Sequence, residues 1–268
     1  MDRSALAALG RVTCLAIDID GVLRLGADFL PGVPEAIAGL RRQGFTLSFV
    51  TNNSSTSPAR VAASLGRHDV PADEADVLTS GLAAATLLRR MAAAEVCVAG
   101  TDDLRELVRT EGFEVVSGPG CDTLLVGMNR AFDYDDLRDA ADAARACRLF
   151  VACNREPAYP VEGRRWAPGC GALVAAVEAA AGRVADVIAG KPEPLLLEML
   201  AQRTAATPDE ILVVGDSLVF DLGMARAHGA PAVLVAAGEP AEAGPGPAPV
   251  ARVAALGELP ALLAMARS

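Results

Sequence analysis

The chain has 268 residues, of which 34 are acidic and 24 are basic, so its formal net charge is −10. Apolar residues make up 52 % and charged residues 22 %, a balance that excludes intrinsic disorder and leaves enough apolar chain for a sizeable core. The acidic excess argues against a general nucleic-acid-binding protein, which needs a basic face. No run approaches the roughly 20 apolar residues of a membrane span, and the first residues lack a signal-peptide pattern. We therefore expect a cytoplasmic protein.

Short apolar runs alternate with helical patterns along most of the chain. The predicted elements are, in chain order, strand 13–17, helix 34–43, strand 46–50, helix 58–65, strand 96–99, helix 102–110, strand 123–126, helix 134–146, strand 149–152, helix 172–181, strand 186–188, strand 211–214, helix 222–227, strand 232–235 and helix 260–267. The Pro/Gly/Ala-rich stretch 238–250 is typical of a flexible loop. Continuously apolar strands that alternate with helices are typical of a parallel sheet covered by helices on both faces.

The segment from about 80 to 188 contains a complete strand–helix series of its own. It is long enough to form a second domain. We therefore expect an α/β protein with a core domain at 1–80 and 189–268 and an inserted domain at 81–188.

Pairs of carboxylates follow two of the predicted core strands. Asp18 and Asp20 follow the first strand, and Asp216 and Asp221 follow strand 211–214. Open α/β sheets place their active sites at the carboxyl ends of their strands. Hard oxygen ligands of this kind suit Mg²⁺, which also relieves the repulsion between neighbouring carboxylates. Taken alone, each stretch is equally typical of an ordinary acidic turn.

Groups suited to an anion follow two other segments. Thr51 and Asn52 end the second strand just before a predicted helix, where hydroxyl, amide and backbone N–H groups can hold a phosphate or simply cap the helix. Lys191 lies between Gly190 and Pro192. A lysine held in such a loop can neutralise an anion as a point charge, or it can be solvated.

These four motifs, in this order at successive strand ends, resemble the haloacid dehalogenase-like hydrolase superfamily over essentially the whole chain. The stretches that carry the resemblance are DIDGV at 18–22, TNN at 51–53, GKP at 190–192 and GDSLVFD at 215–221. The insert is similar to the C2-type cap of NagD-like, pyridoxal-phosphate, phosphoglycolate and 4-nitrophenyl-phosphate phosphatases, as are VLTSG at 77–81 and WAPGCGAL at 166–173. The resemblance implies a Rossmann-like core with an inserted α/β cap.

The resemblance also implies a role for each core residue. Asp18 is expected to be the nucleophile that forms an aspartyl-phosphate, and Asp20 the acid and base for the leaving alcohol and the water. Thr51, nearby backbone amides including that of Asn52, and Lys191 are expected to bind the phosphoryl group.

The expected metal is Mg²⁺. The resemblance implies that Asp18, the carbonyl of Asp20 and Asp216 hold it, with Asp221 completing the acidic cluster through water. A cation and a lysine at one point would let an acidic protein bind an anionic substrate.

The cap departs from the family pattern. Related caps often carry Thr-Asn-x-Asp near the substrate, where this chain has Cys-Asn-Arg-Glu. Because the cap alone can reach the leaving group, we expect Asn154, Arg155 and Glu156 to contact the substrate. The alternatives are that Asn154 caps the following turn, and that Arg155, like Arg164 and Arg165, is merely solvated.

The sequence therefore predicts a Mg²⁺-dependent phosphatase that acts on a small phosphorylated metabolite, and a homodimer formed through the cap. A phosphotransferase or phosphomutase, in which the phosphoryl group passes to another alcohol, stays open. So does a non-catalytic phospholigand-binding protein, although the complete set of motif residues argues against it. Sugar phosphates, phosphoglycolate, pyridoxal phosphate and nucleotides are all open as substrates.

Overall fold

The computed structural model describes residues 3–118, 120–161, 165–236 and 248–268. Its strands are β1 (Cys14–Asp18), β2 (Arg24–Leu25), β3 (Asp28–Phe29), β4 (Thr46–Thr51), β5 (Val77–Thr79), β6 (Glu95–Ala99), β7 (Glu114–Val116), β8 (Thr123–Val126), β9 (Leu149–Ala152), β10 (Ala158–Val161), β11 (Arg165–Pro168), β12 (Val187–Ile188), β13 (Ile211–Gly215), β14 (Ala232–Val235) and β15 (Ala251–Val253). Its α-helices are α1 (Arg3–Gly10), α2 (Val33–Arg42), α3 (Pro58–Gly66), α4 (Ser80–Arg90), α5 (Asp102–Thr110), α6 (Tyr134–Ala146), α7 (Cys170–Ala181), α8 (Leu195–Thr204), α9 (Asp221–His228) and α10 (Leu259–Ala266).

The main sheet has six strands in the order β15-β14-β13-β1-β4-β5. Every neighbouring pair in it is parallel. The first strand of the sheet therefore lies in the middle, with β4 on one side and β13 on the other. A strand order that reverses at this point opens a crevice beyond the carboxyl ends of the central strands, where α/β proteins bind ligands.

A second parallel sheet is inserted after β5. Its five strands lie in the order β12-β9-β8-β6-β7, and the chain returns to the main sheet through α8 and β13. An antiparallel hairpin formed by β10 and β11 extends from this insert. The predicted α/β fold with an inserted α/β unit is thus confirmed.

Apolar side chains cover both faces of the main sheet, as the predicted parallel sheet requires. Along β1, Cys14 and Ala16 pack into one hydrophobic cluster while Leu15 and Ile17 pack into another on the opposite face. The cluster of Cys14 and Ala16 continues into the insert as far as Phe150. The insert is therefore joined to the core by shared apolar packing.

Most predicted elements lie within two residues of their observed bounds, but several elements were missed. Helix α8 begins with Leu195, Leu196 and Leu197, all of which are buried, so its sequence shows no amphipathic stripe. Strands β5, β7 and β15 have three residues each, too few for a period to be visible. Most of the predicted loop 238–250 lies outside the described residues. Within the described ranges no helix has the length and apolar character needed to cross a membrane.

Candidate active site

A buried lysine joins two buried aspartates at the carboxyl edge of the main sheet. Lys191 Nζ donates to Asp18 Oδ1 and to Asp221 Oδ1, each at 2.6 Å. The exposed fractions of the three residues are 3 %, 7 % and 1 %. Burial by itself lowers the pKa of Lys191, but the charges of Asp18 and Asp221 outweigh it and raise that pKa above its ordinary value. The ammonium group is therefore a permanent positive charge inside the crevice.

Three carboxylates crowd the same point. Asp18, Asp216 and Asp221 each offer an oxygen, and these oxygens lie within 4.8 Å of one another. Burial and then the charge of Asp221 raise the pKa of Asp18 well above its ordinary value, and the same two causes raise the pKa of Asp216 to about 7. Although Asp216 as a whole residue is exposed, its carboxyl group lies against the two buried carboxyl groups of Asp18 and Asp221. Hard oxygens under mutual repulsion, held by one cation, fit the donor set of a bound Mg²⁺.

Two glycines allow this close approach. Gly21 has a φ of +97°, and a Cβ there would lie 1.9 Å from Asp216 Oδ2. A Cβ at Gly215 would lie 2.2 Å from Asp221 Cγ. Any larger residue at either position would push an aspartate out of the cluster.

Asp20 lies outside this cluster because β1 ends at Asp18. Its Oδ1 accepts a hydrogen bond of 3.0 Å from Arg24 Nε, and its side chain is 39 % exposed. The alternation that places residues i and i+2 of a strand on one face no longer applies beyond the strand end. Asp20 is thus the accessible carboxyl beside the buried Asp18.

Thr51 ends β4 beside this cluster, and Asn52 follows it. Thr51 Oγ1 accepts a hydrogen bond of 3.0 Å from the backbone N–H of Asn53, which leaves the hydroxyl proton for a further acceptor. Asn52 Oδ1 accepts from the backbone N–H of Lys191 at 2.8 Å, and Asn52 Nδ2 donates to the Lys191 carbonyl at 3.3 Å. The Asn52 side chain therefore fixes the backbone that carries the lysine, a role that the sequence analysis missed.

The insert holds the same loop from the other side. The carbonyl of Asn52 accepts two hydrogen bonds of 2.7 Å, from Ser80 Oγ and from Asn154 Nδ2. Asn154 Oδ1 accepts from the backbone N–H of Glu156 at 3.0 Å. Ser80, Asn154 and Asn52 are all buried. The geometry fits the alternative that Asn154 caps the following turn, because both ends of its amide are used within the protein. Contact of Asn154 with a substrate stays a prediction.

Two further contacts hold the loop 52–55. Together with the hydrogen bonds of Ser80 and Asn154 to the Asn52 carbonyl, we call them the clamp. Ser54 Oγ accepts from the backbone N–H of Met128 at 2.8 Å, and Thr101 Oγ1 donates to the carbonyl of Ser55 at 3.0 Å. Asn154, Met128 and Thr101 each follow the carboxyl end of an insert strand. The carboxyl edges of the two sheets therefore meet at this loop.

The sequence analysis did not name Ser80 as a site residue. Its only signal there was the stretch VLTSG at 77–81.

The other two cap candidates have different environments. Arg155 forms a bidentate ion pair with Glu178 of α7, with one bond of 3.0 Å between Nη1 and Oε2, so its guanidinium is already paired. Contact of Arg155 with the substrate stays a prediction. Glu156 instead reaches the core, where its Oε2 accepts from Asn52 Nδ2 at 3.3 Å. Arg165 is exposed on β11, and Arg164 lies outside the described residues.

Comparison with known proteins agrees with this geometry. A family model described as haloacid dehalogenase-like hydrolase matches residues 15–114, and one described as HAD-hydrolase-like matches 188–259. Chronophin of Mus musculus is 35 % identical over 243 residues, covering 86 % of this chain and 82 % of chronophin. The 4-nitrophenylphosphatase of Thermotoga maritima superimposes with a TM-score of 0.86 at 27 % identity, covering 95 % of this chain and 98 % of that one. Glycerol phosphate phosphatase of Mycobacterium tuberculosis, in complex with magnesium, superimposes with a TM-score of 0.84 at 33 % identity, covering 94 % of this chain and 78 % of that one.

Replacing Asn154 by Ala tests the clamp. The variant removes one of the two donors to the buried Asn52 carbonyl and the acceptor of the Glu156 backbone N–H, so we expect the free energy of unfolding to fall by about 1–3 kcal/mol. The matched control is Arg60→Ala, which breaks the exposed Arg60–Asp103 pair between α3 and α5 and should cost less than about 1 kcal/mol. Denaturant unfolding measures both values. Equal losses in the two variants would show that the buried contact is no stronger than the exposed one.

Proposed function

This chain belongs to the haloacid dehalogenase-like hydrolase superfamily and is a phosphatase, and from this premise we propose that it hydrolyses small phosphomonoesters with Mg²⁺ through an aspartyl-phosphate on Asp18. The observation that carries the proposal is the buried Lys191 ammonium between Asp18 and Asp221, at 2.6 Å from each, with Asp216 beside them. A core of this composition combines a nucleophile, a fixed cation and oxygen ligands for a metal at one point.

The two carboxyl groups of the first motif take different roles because their environments differ. An oxygen of Asp18 attacks phosphorus, and the ester P–O bond breaks as Asp20 gives its proton to the leaving alcohol. Asp20 then takes a proton from water, whose oxygen attacks the same phosphorus, and the bond between phosphorus and Asp18 breaks to release phosphate. The buried Asp18 is held by Lys191, whereas the Asp20 side chain is partly exposed and so can exchange a proton with an alcohol or with water.

The phosphoryl oxygens need donors that are already in place. Lys191 supplies a fixed positive charge, and the Thr51 hydroxyl has its proton available because its oxygen already accepts from Asn53. Backbone N–H groups near Ile19 and Asn52 complete the cradle. Donors held in place before the reaction cost no reorganisation as charge develops on the phosphoryl group.

Magnesium fits the carboxylate cluster. Asp18, Asp216 and the carbonyl of Asp20 would hold it, and when bound it neutralises the phosphoryl oxygens as a Lewis acid. Asp221 acts from outside the coordination sphere, because its two oxygens accept from Lys191 Nζ and from the backbone N–H of Ser217.

We propose that residues 81–188 form a cap that selects the leaving group, over a core at 1–80 and 189–268. The return crossing of the chain is hydrogen-bonded to the insert, since the N–H groups of Ala189 and Gly190 donate to the carbonyls of Ala152 and Cys153 at 3.0 and 2.7 Å. With the hydrogen bond from Ser80 to the Asn52 carbonyl, both segments that connect the core and the insert are held by hydrogen bonds. A cap-mediated homodimer and a cytoplasmic location stay predictions.

Asp18→Asn should abolish turnover, with kcat falling by about 10³-fold or more, because an amide is too weak a nucleophile to form the acyl-phosphate. Release of 4-nitrophenol from 4-nitrophenyl phosphate measures kcat, and circular dichroism checks the fold. Asp209→Asn is the control, since Asp209 is exposed and precedes β13 at the opposite edge of the sheet. Substantial turnover by the Asp18→Asn protein would rule out the covalent route.

Asp20→Asn should damage the hydrolysis of alkyl phosphates by about 10²- to 10⁴-fold, because an alkoxide leaves poorly without a proton. The loss on 4-nitrophenyl phosphate should be smaller, since 4-nitrophenolate leaves without much help. The measurement is the ratio of the two losses in kcat/KM. If both substrates lose the same factor, Asp20 is not the acid.

Asp216→Ala should raise the Mg²⁺ concentration needed for half-maximal activity by about 10-fold or more, because one oxygen ligand is lost. Mg²⁺ titration of 4-nitrophenyl phosphate hydrolysis measures the change, and Ca²⁺ should substitute poorly because it prefers more ligands in looser geometry. Full activity of the chelator-treated wild-type protein would exclude the metal. Absence of turnover with Mg²⁺ would favour the phospholigand-binding alternative.

A further inference from the structure

Glu156 brings a carboxylate from the insert to the catalytic edge of the core. Its Oε2 accepts from Asn52 Nδ2, at 3.3 Å, and the same amide group holds the backbone of Lys191. The charges of Lys191, Asp221 and Asp20 all act on this carboxylate. It therefore lies within electrostatic range of both the phosphoryl-binding cation and the carboxyl group that serves the leaving alcohol.

The backbone that presents Glu156 is fixed on the start of α7. The N–H groups of Gly171 and Gly169 donate to the carbonyls of Glu156 and Pro157, each at 2.8 Å. A Cβ at Gly169 would lie 2.3 Å from the Glu156 carbonyl oxygen, and one at Gly171 would lie 2.3 Å from that of Arg155. Only glycine allows the two segments to lie this close, so the carboxylate is presented from a rigid support.

One oxygen of Glu156 is left for a ligand. Within the part of the chain that the structure describes, Oε1 accepts no hydrogen bond, while Oε2 is used by Asn52. Burial raises the pKa of Glu156 above its ordinary value, while the charge of Lys191 and the hydrogen bond from Asn52 favour its ionised form. A half-buried carboxylate with an unused oxygen is stabilised by a hydrogen-bond donor or a positive charge.

The arginines beside these motifs do not offset the negative charge. Arg24 is paired with Asp20, and Arg155 is paired with Glu178. Both guanidinium groups are thus already neutralised by carboxylates of the protein. Neither of these two guanidinium groups is therefore free to offset the charge of Glu156.

We propose that Glu156 determines specificity by favouring phosphomonoesters whose leaving group carries hydroxyl or ammonium donors and by disfavouring those with a second anionic group. The inference rests on the proposed phosphatase function. The phosphoryl dianion is neutralised by Lys191 and the metal, whereas a carboxylate or second phosphate on the leaving group meets Glu156. Like charges at about 6 Å in a partly solvated crevice change a rate ratio by roughly 10- to 100-fold.

Three two-carbon phosphomonoesters that differ only in their terminal group test the inference: phosphoethanolamine, 2-hydroxyethyl phosphate and phosphoglycolate. Each is measured as a substrate, by phosphate release, and as a competitor of 4-nitrophenyl phosphate hydrolysis. For the wild type we expect kcat/KM to be lowest for phosphoglycolate, by about 10-fold or more relative to 2-hydroxyethyl phosphate. Glu156→Gln keeps the shape of the side chain and an oxygen that can accept from Asn52. In this variant the ratio of kcat/KM for phosphoethanolamine to kcat/KM for phosphoglycolate should fall by roughly 10- to 100-fold.

The controls separate this inference from the proposed function. Glu193→Gln removes an exposed negative charge two residues from Lys191 and should leave the three-substrate ratios unchanged. The readout is the ratio among the three substrates within each variant, so that a change in overall turnover that Glu156→Gln causes through Asn52 cancels. Absence of 4-nitrophenyl phosphate turnover in the wild type defeats the proposed function. Two outcomes overturn the inference and leave the proposed phosphatase function standing. In the first, the wild type hydrolyses phosphoglycolate with the same kcat/KM as 2-hydroxyethyl phosphate. In the second, Glu156→Gln changes kcat/KM for all three substrates by the same factor.

Discussion

The buried contact of Lys191 with Asp18 and Asp221 is the constraint on which the rest of the molecule depends. Three charges are removed from water at one point, which is tolerated only because each finds a partner at hydrogen-bond distance. The partners come from residues far apart in the chain, so they meet only if β1 and β13 are adjacent and parallel. Glycine at 21 and 215 is required for the same reason, since a side chain would occupy the space of an aspartate.

Asn52 connects this charged cluster to the insert. Its side chain holds the backbone of Lys191, and its carbonyl is held in turn by Ser80 and Asn154. The carboxyl edges of two parallel sheets thus meet at one loop. A displacement of the insert would therefore shift Asn52 and, through it, the backbone of Lys191. The shared apolar cluster packs the insert against the core next to this loop. The proposed selection of leaving groups then depends on which charges the insert presents to the crevice.

Much of the fold followed from the sequence because its pattern is strong where the chain is buried on both faces. Strands β1, β4, β8, β9, β13 and β14 are short, mostly apolar segments that are buried over nearly their whole length. Helices such as α5 and α6 carry clear amphipathic patterns and amino-terminal caps. The three-residue strands and α8, which is apolar on all sides at its start, show no such pattern. They form because of contacts with elements that are distant in the sequence, and a local pattern does not reveal those contacts.

The sequence by itself determined which core side chains meet, because parallel strands bring their carboxyl ends together and Asp18, Thr51 and Asp216 each lie at such an end. Only the tertiary structure decided what the cap residues do. Asn154, Arg155 and Glu156 are consecutive, yet the first binds a core carbonyl, the second pairs with Glu178, and the third reaches Asn52. Beyond a strand end no period fixes the direction of successive side chains. Their directions are set by partners that lie from about twenty to more than a hundred residues away, which no local pattern encodes.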